Sequence, residues 1–403
     1  MPDFDATLAA ELESIESAKL RRSLRTIDSP QGIRINIRDR ELINFSSNDY
    51  LGLANHPDLL AAGRQALDQF GAGAGSSRLI CGTQKPHQQL EEALADFKGT
   101  QAALSFSTGY SAATGAICSL VSKGDVIILD KLVHASIVDA ARQSGAQIRV
   151  FRHNDLDGLE KRLKWANEKH PAARCLVATE SVFSMDGDLA PLLNIAELKD
   201  KFGAWLMVDE AHATGLFGDA RSGLIQEFGI SEHVDIQLAT LGKALGCAGG
   251  AICGKRVLID LLINKARSFM YSTAPPPAMA AMACRALELV RGQEGETRRQ
   301  RLWAMVENLK TTLLEVGCAP GIVRSPIVPL ILGDEELAMS AAECLNEAGI
   351  HVPGIRYPTV AKGQARLRFT ITADHTLSDL ETLSSGLRGI PNVSAADESL
   401  GQA

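Results

Sequence analysis

Between residues 86 and 253 short apolar runs alternate with longer amphipathic stretches, and this rhythm leaves little choice of fold. Runs such as Ala102-Ala-Leu-Ser-Phe106, Val126-Ile-Ile-Leu-Asp130 and Leu206-Met-Val-Asp209 are apolar nearly throughout, rather than at every second residue. A strand apolar on both sides is buried on both faces, the condition of a strand in a parallel sheet with helices above and below it. The pattern predicts helices over 87–98, 110–121, 134–144 and 155–168, and strands over 102–106, 125–130, 148–152, 174–179, 204–209, 235–240 and 249–253. The fold class is therefore α/β, with a mainly parallel sheet covered by helices.

Upstream, helical spacing over 8–26 ends at Ser29-Pro30-Gln31-Gly32, before a strand pair around 33–38 and 40–45. Downstream, helices over 255–266 and 276–292 close the sheet, and a charged helix over 296–316 leads on to strand 326–332, helix 335–348, strand 365–372 and helix 377–388. A chain of 403 residues exceeds what one core commonly supports. The expected division is an N-terminal helix and arm over 1–60, a large domain over 61–292, a smaller C-terminal α/β domain over 293–393 and a disordered tail over 394–403.

A net charge of −7 with both signs interspersed gives no broad basic surface, which argues against nucleic acid as a partner. No apolar run approaches the roughly 20 residues of a membrane span, so no membrane association is expected. The start, Met1-Pro-Asp-Phe-Asp, lacks the basic, then apolar, character of a secretory signal, and a cytoplasmic location is expected. The eight cysteines stand singly, with no metal-binding spacing, and read as reduced thiols.

Ligands of open α/β sheets collect beyond the carboxyl ends of the strands. There the chain places Asp209, followed by Glu210-Ala-His212, then Thr240, and three residues later Lys243. A lysine in a small apolar pocket loses ammonium hydration, so its neutral amine can form a Schiff base with an aldehyde. Such an amine calls for a carbonyl cofactor, and a strand-end aspartate suits the pyridine nitrogen of pyridoxal phosphate. Ser107-Thr108-Gly109-Tyr110, between a strand and a helix, offers backbone N–H groups to a phosphate. His134 opens a helix, where its ring could stack on a flat cofactor. Each has an ordinary alternative: a buried salt bridge for Asp209, a steric turn for Ser-Thr-Gly, a cap for His134. Gly71-Ala-Gly73-Ala-Gly75 lacks a third glycine at dinucleotide spacing and reads as a flexible substrate-side loop, with Arg78 structural. Arg366 and Arg368 share a face of one strand, suited either to solvation or to clamping a carboxylate.

The segments Asn44-Phe-Ser-Ser-Asn48-Asp-Tyr-Leu-Gly52, Val133-His134-Ala-Ser, His153-Asn-Asp155, Thr179-Glu-Ser-Val-Phe-Ser184-Met-Asp-Gly187, Asp209-Glu-Ala-His212, Thr240-Leu-Gly-Lys243, Tyr271-Ser-Thr273 and Leu367-Arg368-Phe-Thr together resemble the α-oxoamine synthase family of fold-type I pyridoxal phosphate enzymes. The resemblance runs over nearly the whole chain. It implies that Lys243 holds pyridoxal 5'-phosphate and moves the substrate Cα proton, that Asp209 pairs with the pyridine nitrogen and His212 with the ring oxygen, and that His134 stacks on the ring. Gly109, Tyr110 and Thr240 would hold the phosphate, joined by Thr273 from a neighbouring subunit of a homodimer, and Ser184 would contact the cofactor. Arg21, Asn48, His134, Arg356, Thr359 and Arg368 match substrate positions, Arg368 being the partner of the amino-acid carboxylate. Ile355-Arg356-Tyr-Pro-Thr359 and Phe151-Arg-His-Asn-Asp155 favour the biotin-pathway branch, which joins L-alanine to a pimeloyl thioester of coenzyme A or acyl carrier protein and releases CO2 and free thiol. Ile80-Cys-Gly-Thr-Gln84 resembles the 2-amino-3-ketobutyrate ligase branch instead, and Cys247 stands where glycine is common. An aminotransferase is the more distant alternative.

Overall fold

The computed structural model describes residues 3–390; the tail expected over 394–403 lies outside the described residues. Thirteen strands are described: β1 Arg34–Ile37, β2 Arg40–Asn44, β3 Ala102–Phe106, β4 Val126–Asp130, β5 Gln147–Phe151, β6 Cys175–Glu180, β7 Trp205–Asp209, β8 Ile236–Thr240, β9 Gly250–Gly254, β10 Ile327–Gly333, β11 Ile350–His351, β12 Gly354–Ile355 and β13 Ala365–Thr370. Seven form one sheet in the order β3-β9-β8-β7-β6-β4-β5. Only β9 runs against its neighbours, β3 and β8; every other pairing in this sheet is parallel. The inner strands β4 and β9 are buried at every residue, whereas the edge strand β5 is buried only at Phe151. That contrast is why the central runs are apolar throughout.

Helices Gly109–Leu120, Ala135–Ser144, Leu156–Lys169 and Leu192–Phe202 connect the parallel strands. Two smaller sheets, β1-β2-β11 and β10-β13-β12, lie outside the large one. The first joins the chain's beginning to its last third, because β11 pairs in parallel with β2.

Three departures from the sequence reading have local causes. The first helix spans Phe4–Ser17 rather than 8–26: Asp3 caps its start, accepting from the Ala6 N–H at 2.8 Å, and Lys19, at φ 58°, turns the chain out of helical geometry. Helix Leu192–Phe202, absent from the sequence reading, follows Pro191 and buries Leu192, Ile195, Ala196 and Lys199 at helical spacing; Gly203, at φ 66°, ends it two residues before β7. Helix Pro57–Phe70 begins at a His56 cap with proline in its first turn and buries only Leu59, Gly63 and Ala66. Arg78 is structural: it is buried, and its guanidinium grips both carboxylate oxygens of Glu91 at 2.9 Å.

Candidate active site

Three neighbouring parallel strands, β4, β6 and β7, end in Asp130, Glu180 and Asp209, and β8 beside them ends in Thr240. Lys243 lies in the turn after β8. Burial pushes its ammonium pKa down, opposed by the carboxyls of Asp209 and Glu180, while the Arg368 guanidinium pushes it further down. Burial pushes the Asp209 carboxyl up, countered by Lys243 and by the Ala211 N–H, which donates to its Oδ1 at 2.8 Å. The structure thus brings Lys243, Asp209, His134 and His212 within electrostatic reach of one another.

His212 is buried, and its pKa lies well below the ordinary value, first through desolvation and then through the cations of Lys243 and Arg368. Its Nδ1 meets the Tyr50 hydroxyl. Burial pushes that phenol up to about 12, so it stays protonated and can donate, to the ring nitrogen at 2.5 Å more closely than to Asn48 Oδ1 at 3.4 Å. A neutral imidazole that accepts at Nδ1 carries its proton on Nε2, where it can donate to an oxygen anion. His134 caps the helix Ala135–Ser144: its Nδ1 accepts from the Ser136 N–H at 3.2 Å and sits 2.8 Å from the Ser136 hydroxyl, so its exposed ring is fixed in orientation.

The helix Gly109–Leu120 starts at a Thr108 cap that accepts from the Ser111 N–H at 3.0 Å. The Gly109 and Tyr110 N–H groups, in the first turn, have no acceptor within the helix. Glycine at 109 is required by close approach, because a Cβ there would lie 2.7 Å from the Thr240 methyl, and one on Gly250 would lie 2.6 Å from the Gly109 Cα. The helix start is thereby pressed against the end of β8, leaving Thr108 and Tyr110 facing solvent. These residues fit pyridoxal phosphate: an anion cradle at a helix start, a desolvated amine, a strand-end carboxyl and a neutral histidine with a free N–H face one region.

Arg366 and Arg368 are both buried, so solvation does not explain them. Arg368 donates to the Ser184 carbonyl at 2.7 Å, the Thr370 hydroxyl at 2.9 Å and Asn48 Oδ1 at 3.3 Å; Arg366 donates to Asp186 at 2.6 Å and the Met185 carbonyl at 3.1 Å. The segment 184–186 is thus held by two arginines of β13. His153 holds its far end: Nδ1 lies 3.0 Å from Asp130 and Nε2 2.8 Å from Asp188. Burial works against its charge, but the two carboxylates outweigh this and push its pKa up to about 10.

The remaining expected residues lie further out. Arg21 is exposed and pairs with Glu16, while Thr359 is exposed and accepts from Arg22 at 3.3 Å. Arg356 lines a surface cavity with Lys19 and Glu336. Thr273 forms an isolated bridge with Ser77 and is exposed. Two cavities flank the cluster, one of about 500 Å³ bordered by Val133, His153 and Thr359, the other of about 400 Å³ bordered by Asn48, Gly242 and Cys247. Burial pushes the Cys247 thiol up to about 12, which keeps it un-ionised.

Sequence reasoning gave no role to Tyr50, Glu180, Lys98 or His153. For Glu180 the available signal was the one used for Asp209, a carboxyl closing an apolar run.

The model of the family "aminotransferase class I and II" matches residues 40–387. An 8-amino-7-oxononanoate synthase of Geobacter sulfurreducens is 45% identical over 375 residues, covering 93% of this chain and 95% of that protein. Among solved structures, a serine palmitoyltransferase from S. paucimobilis with a bound PLP-myriocin aldimine superimposes with a TM-score of 0.90 at 31% identity, covering 98% of this chain and all of that one. An 8-amino-7-oxononanoate synthase from Francisella tularensis superimposes with a TM-score of 0.74 at 29% identity, covering 86% and 97% respectively.

Proposed function

Since the chain belongs to the 8-amino-7-oxononanoate synthases within aminotransferase class I and II, we propose that it condenses L-alanine with a pimeloyl thioester, releasing CO2 and free thiol to give 8-amino-7-oxononanoate for biotin synthesis. The observation that carries the chemistry is Lys243, an amine whose desolvation favours its neutral form, set beside the strand-end carboxyl of Asp209. Choice of substrates rests on kinship with the synthases.

Pyridoxal 5'-phosphate, the cofactor of these enzymes, supplies an electrophilic carbonyl and an electron-withdrawing pyridinium when bound. Lys243 would hold it covalently, with Asp209 at its ring nitrogen, the Nε2–H of His212 and the Ser184 hydroxyl near its ring oxygen, and His134 against its face. The Gly109 and Tyr110 N–H groups and Thr240 would take its phosphate. Arg368, held from behind by Ser184, Thr370 and Asn48, presents its remaining N–H groups to the alanine carboxylate. Lys243, once released from its covalent role, takes the Cα proton of alanine and returns one after CO2 departs. The cavity beside Val133 and Thr359, at about 500 Å³, would give the acyl chain room, and the family resemblance assigns Arg21 and Arg356 to the substrate as well.

The enzyme works as a homodimer in this reading. Leu79, Ile80 and Tyr271 are exposed close to Thr273, and Phe4, Leu8, Leu12 and Ile15 form an exposed stripe on a helix that buries none of its residues. A second copy would cover these surfaces and bring its Thr273 to the phosphate. Among the described residues no helix is long and apolar enough to cross a membrane; the cytoplasmic location belongs to this reading through kinship with the biotin-pathway synthases.

The test is purified protein with L-alanine and pimeloyl-CoA or pimeloyl acyl carrier protein, following thiol and CO2, with glycine plus acetyl-CoA and L-serine plus palmitoyl-CoA in parallel. Faster turnover of either parallel pair moves the assignment to another branch. Lys243→Ala should abolish turnover and the absorbance of the lysine-linked cofactor while preserving the fold; retained turnover removes Lys243 from its role.

A further inference from the structure

β6 ends on a carboxyl that the reaction above does not use. Glu180 is 2% exposed and is the register partner of Asp209 on the neighbouring parallel strand, so both side chains leave the same face of the sheet. The backbone N–H of His134 acts on its carboxyl, while Oε1 has no hydrogen-bond partner. Acting on it are Asp209 from β7, which shares its face, the charges of Asp130 at the end of β4 and of Lys243 after β8, and the His134 backbone after β4. Asp130 is already matched by His153, and by the Leu132 and Asn154 N–H groups at 2.8 and 2.9 Å. That leaves Lys243 as the cation shared by Glu180 and Asp209. Two buried carboxyls sharing a site do not both ionise. Asp209 has the better claim to the charge, since it also accepts the Ala211 N–H and feels the charge of Lys98.

We propose that Glu180 is a neutral carboxylic acid in the folded protein, a positioning residue that anchors the His134 backbone through one oxygen and offers an O–H donor through the other, leaving Asp209 the only carboxylate opposite the cofactor's ring nitrogen. Burial, and then the Asp209 charge, push the Glu180 carboxyl well above the usual range, in keeping with this. The orphaned oxygen argues the same way, since a buried oxygen without a donor is costlier on a carboxylate than on a neutral acid. The consequence for the cofactor rests on the reading of Asp209 given above; the protonation state itself belongs to the protein without cofactor.

Difference infrared spectroscopy of the apoprotein tests it first. At pH 7 the wild type should show the carbonyl stretch of an un-ionised carboxylic acid, shifted in heavy water and missing from Glu180→Gln. In the cofactor-loaded protein, Glu180→Gln replaces a neutral acid by a neutral amide, so the pH midpoint of the lysine-linked cofactor's absorbance should stay within about 0.3 of a unit; removing a true carboxylate beside Lys243 would move it by about one unit or more. Glu180→Leu, which abandons the His134 N–H, should weaken cofactor retention by about tenfold. A wild-type apoprotein without the acid band, or a midpoint in Glu180→Gln displaced by a unit, overturns the proposal. The wild-type band is informative even where the variants fold poorly. An Asp209→Asn protein with an unaltered cofactor spectrum would remove the Asp209 reading while leaving the apoprotein band in place, so the two failures are told apart.

Discussion

Lys98 and Glu210 form an ion pair whose side chains are 0% and 1% exposed, and its disruption has a calculable cost. The ammonium donates to Glu210 at 2.9 Å, the Thr214 hydroxyl at 2.9 Å and the Ser222 carbonyl at 2.5 Å, so all three of its protons are used. Glu210 also accepts the Ile225 N–H at 2.9 Å. The pair ties the end of helix Lys85–Lys98 to the turn that carries Asp209 and His212. Lys98→Met fills the volume but leaves a buried carboxylate without its cation, a change that costs about 3–5 kcal/mol. Lys98→Met with Glu210→Gln removes both charges and keeps an acceptor for Ile225, so it should regain most of that loss. Urea unfolding of the apoproteins, followed by tryptophan fluorescence, reads the difference, and the double-mutant cycle should give a coupling above about 2 kcal/mol. The single variant should also hold the cofactor less tightly, because Lys98 helps keep Asp209 ionised. A double variant no more stable than the single one would refute the reasoning.

His153→Gln removes an imidazolium clamped between Asp130 and Asp188. Because its folded pKa of about 10 lies above the ordinary 6.5, its contribution is complete below about pH 6.5 and lost as pH rises through 10; the stability deficit of the variant should shrink along that course, and a pH-independent deficit would contradict it. Gly109→Ala places a methyl 2.7 Å from the Thr240 Cγ2 and should force the helix start away from β8, lowering cofactor affinity by about tenfold in an absorbance titration, with Thr240→Ser restoring part of it. Tyr50→Phe deprives His212 Nδ1 of its donor and frees the imidazole to take the other tautomer, so kcat/KM should fall about tenfold, while the unfolding midpoint changes little.

The sheet was legible because a strand buried on both faces leaves no polar trace, and 102–106 coincides with β3 as read. The helix 377–388 is equally plain, since Thr376 and Asp379 form a capping box that the sequence displays. Leu192–Phe202 is legible too, though the sequence reading omits it, since Leu192, Ile195, Ala196 and Lys199 recur at helical spacing. At the site, Lys243 and Asp209 announce themselves by residue type and order. Glu180, Tyr50 and Lys98 do not, because their importance lies in pairings across the fold: Tyr50 meets His212 162 residues away, and Lys98 meets Glu210 112 residues away. No local pattern encodes a partner at that distance. The mistaken end of the first helix has the opposite origin, since nothing packs on it and only capping fixes its length.

The distribution of acids along the sheet follows the demands of a ligand with a cationic and an anionic end. β4, β6 and β7 all end in carboxyls, at the edge where following helices point their partly positive N-termini. Each carboxyl is satisfied differently: Asp130 by the His153 imidazolium, Glu180 by keeping its proton, and Asp209 by Lys243 and one backbone N–H. Only Asp209 retains a charge available to a pyridinium. β3, β5 and β8 end without an acid, in Phe106, Phe151 and Thr240, and β3 leads through Ser107 and Thr108 into the helix at Gly109 with no carboxyl in the turn. The helix dipole there meets no carboxylate of the turn and remains free for a phosphate. In the proposed site, acids on β4, β6 and β7 and none in the turn after β3 would set the orientation of the cofactor before Lys243 reacts, because the reversed pose would bring phosphate against Asp209 and the ring nitrogen against N–H donors.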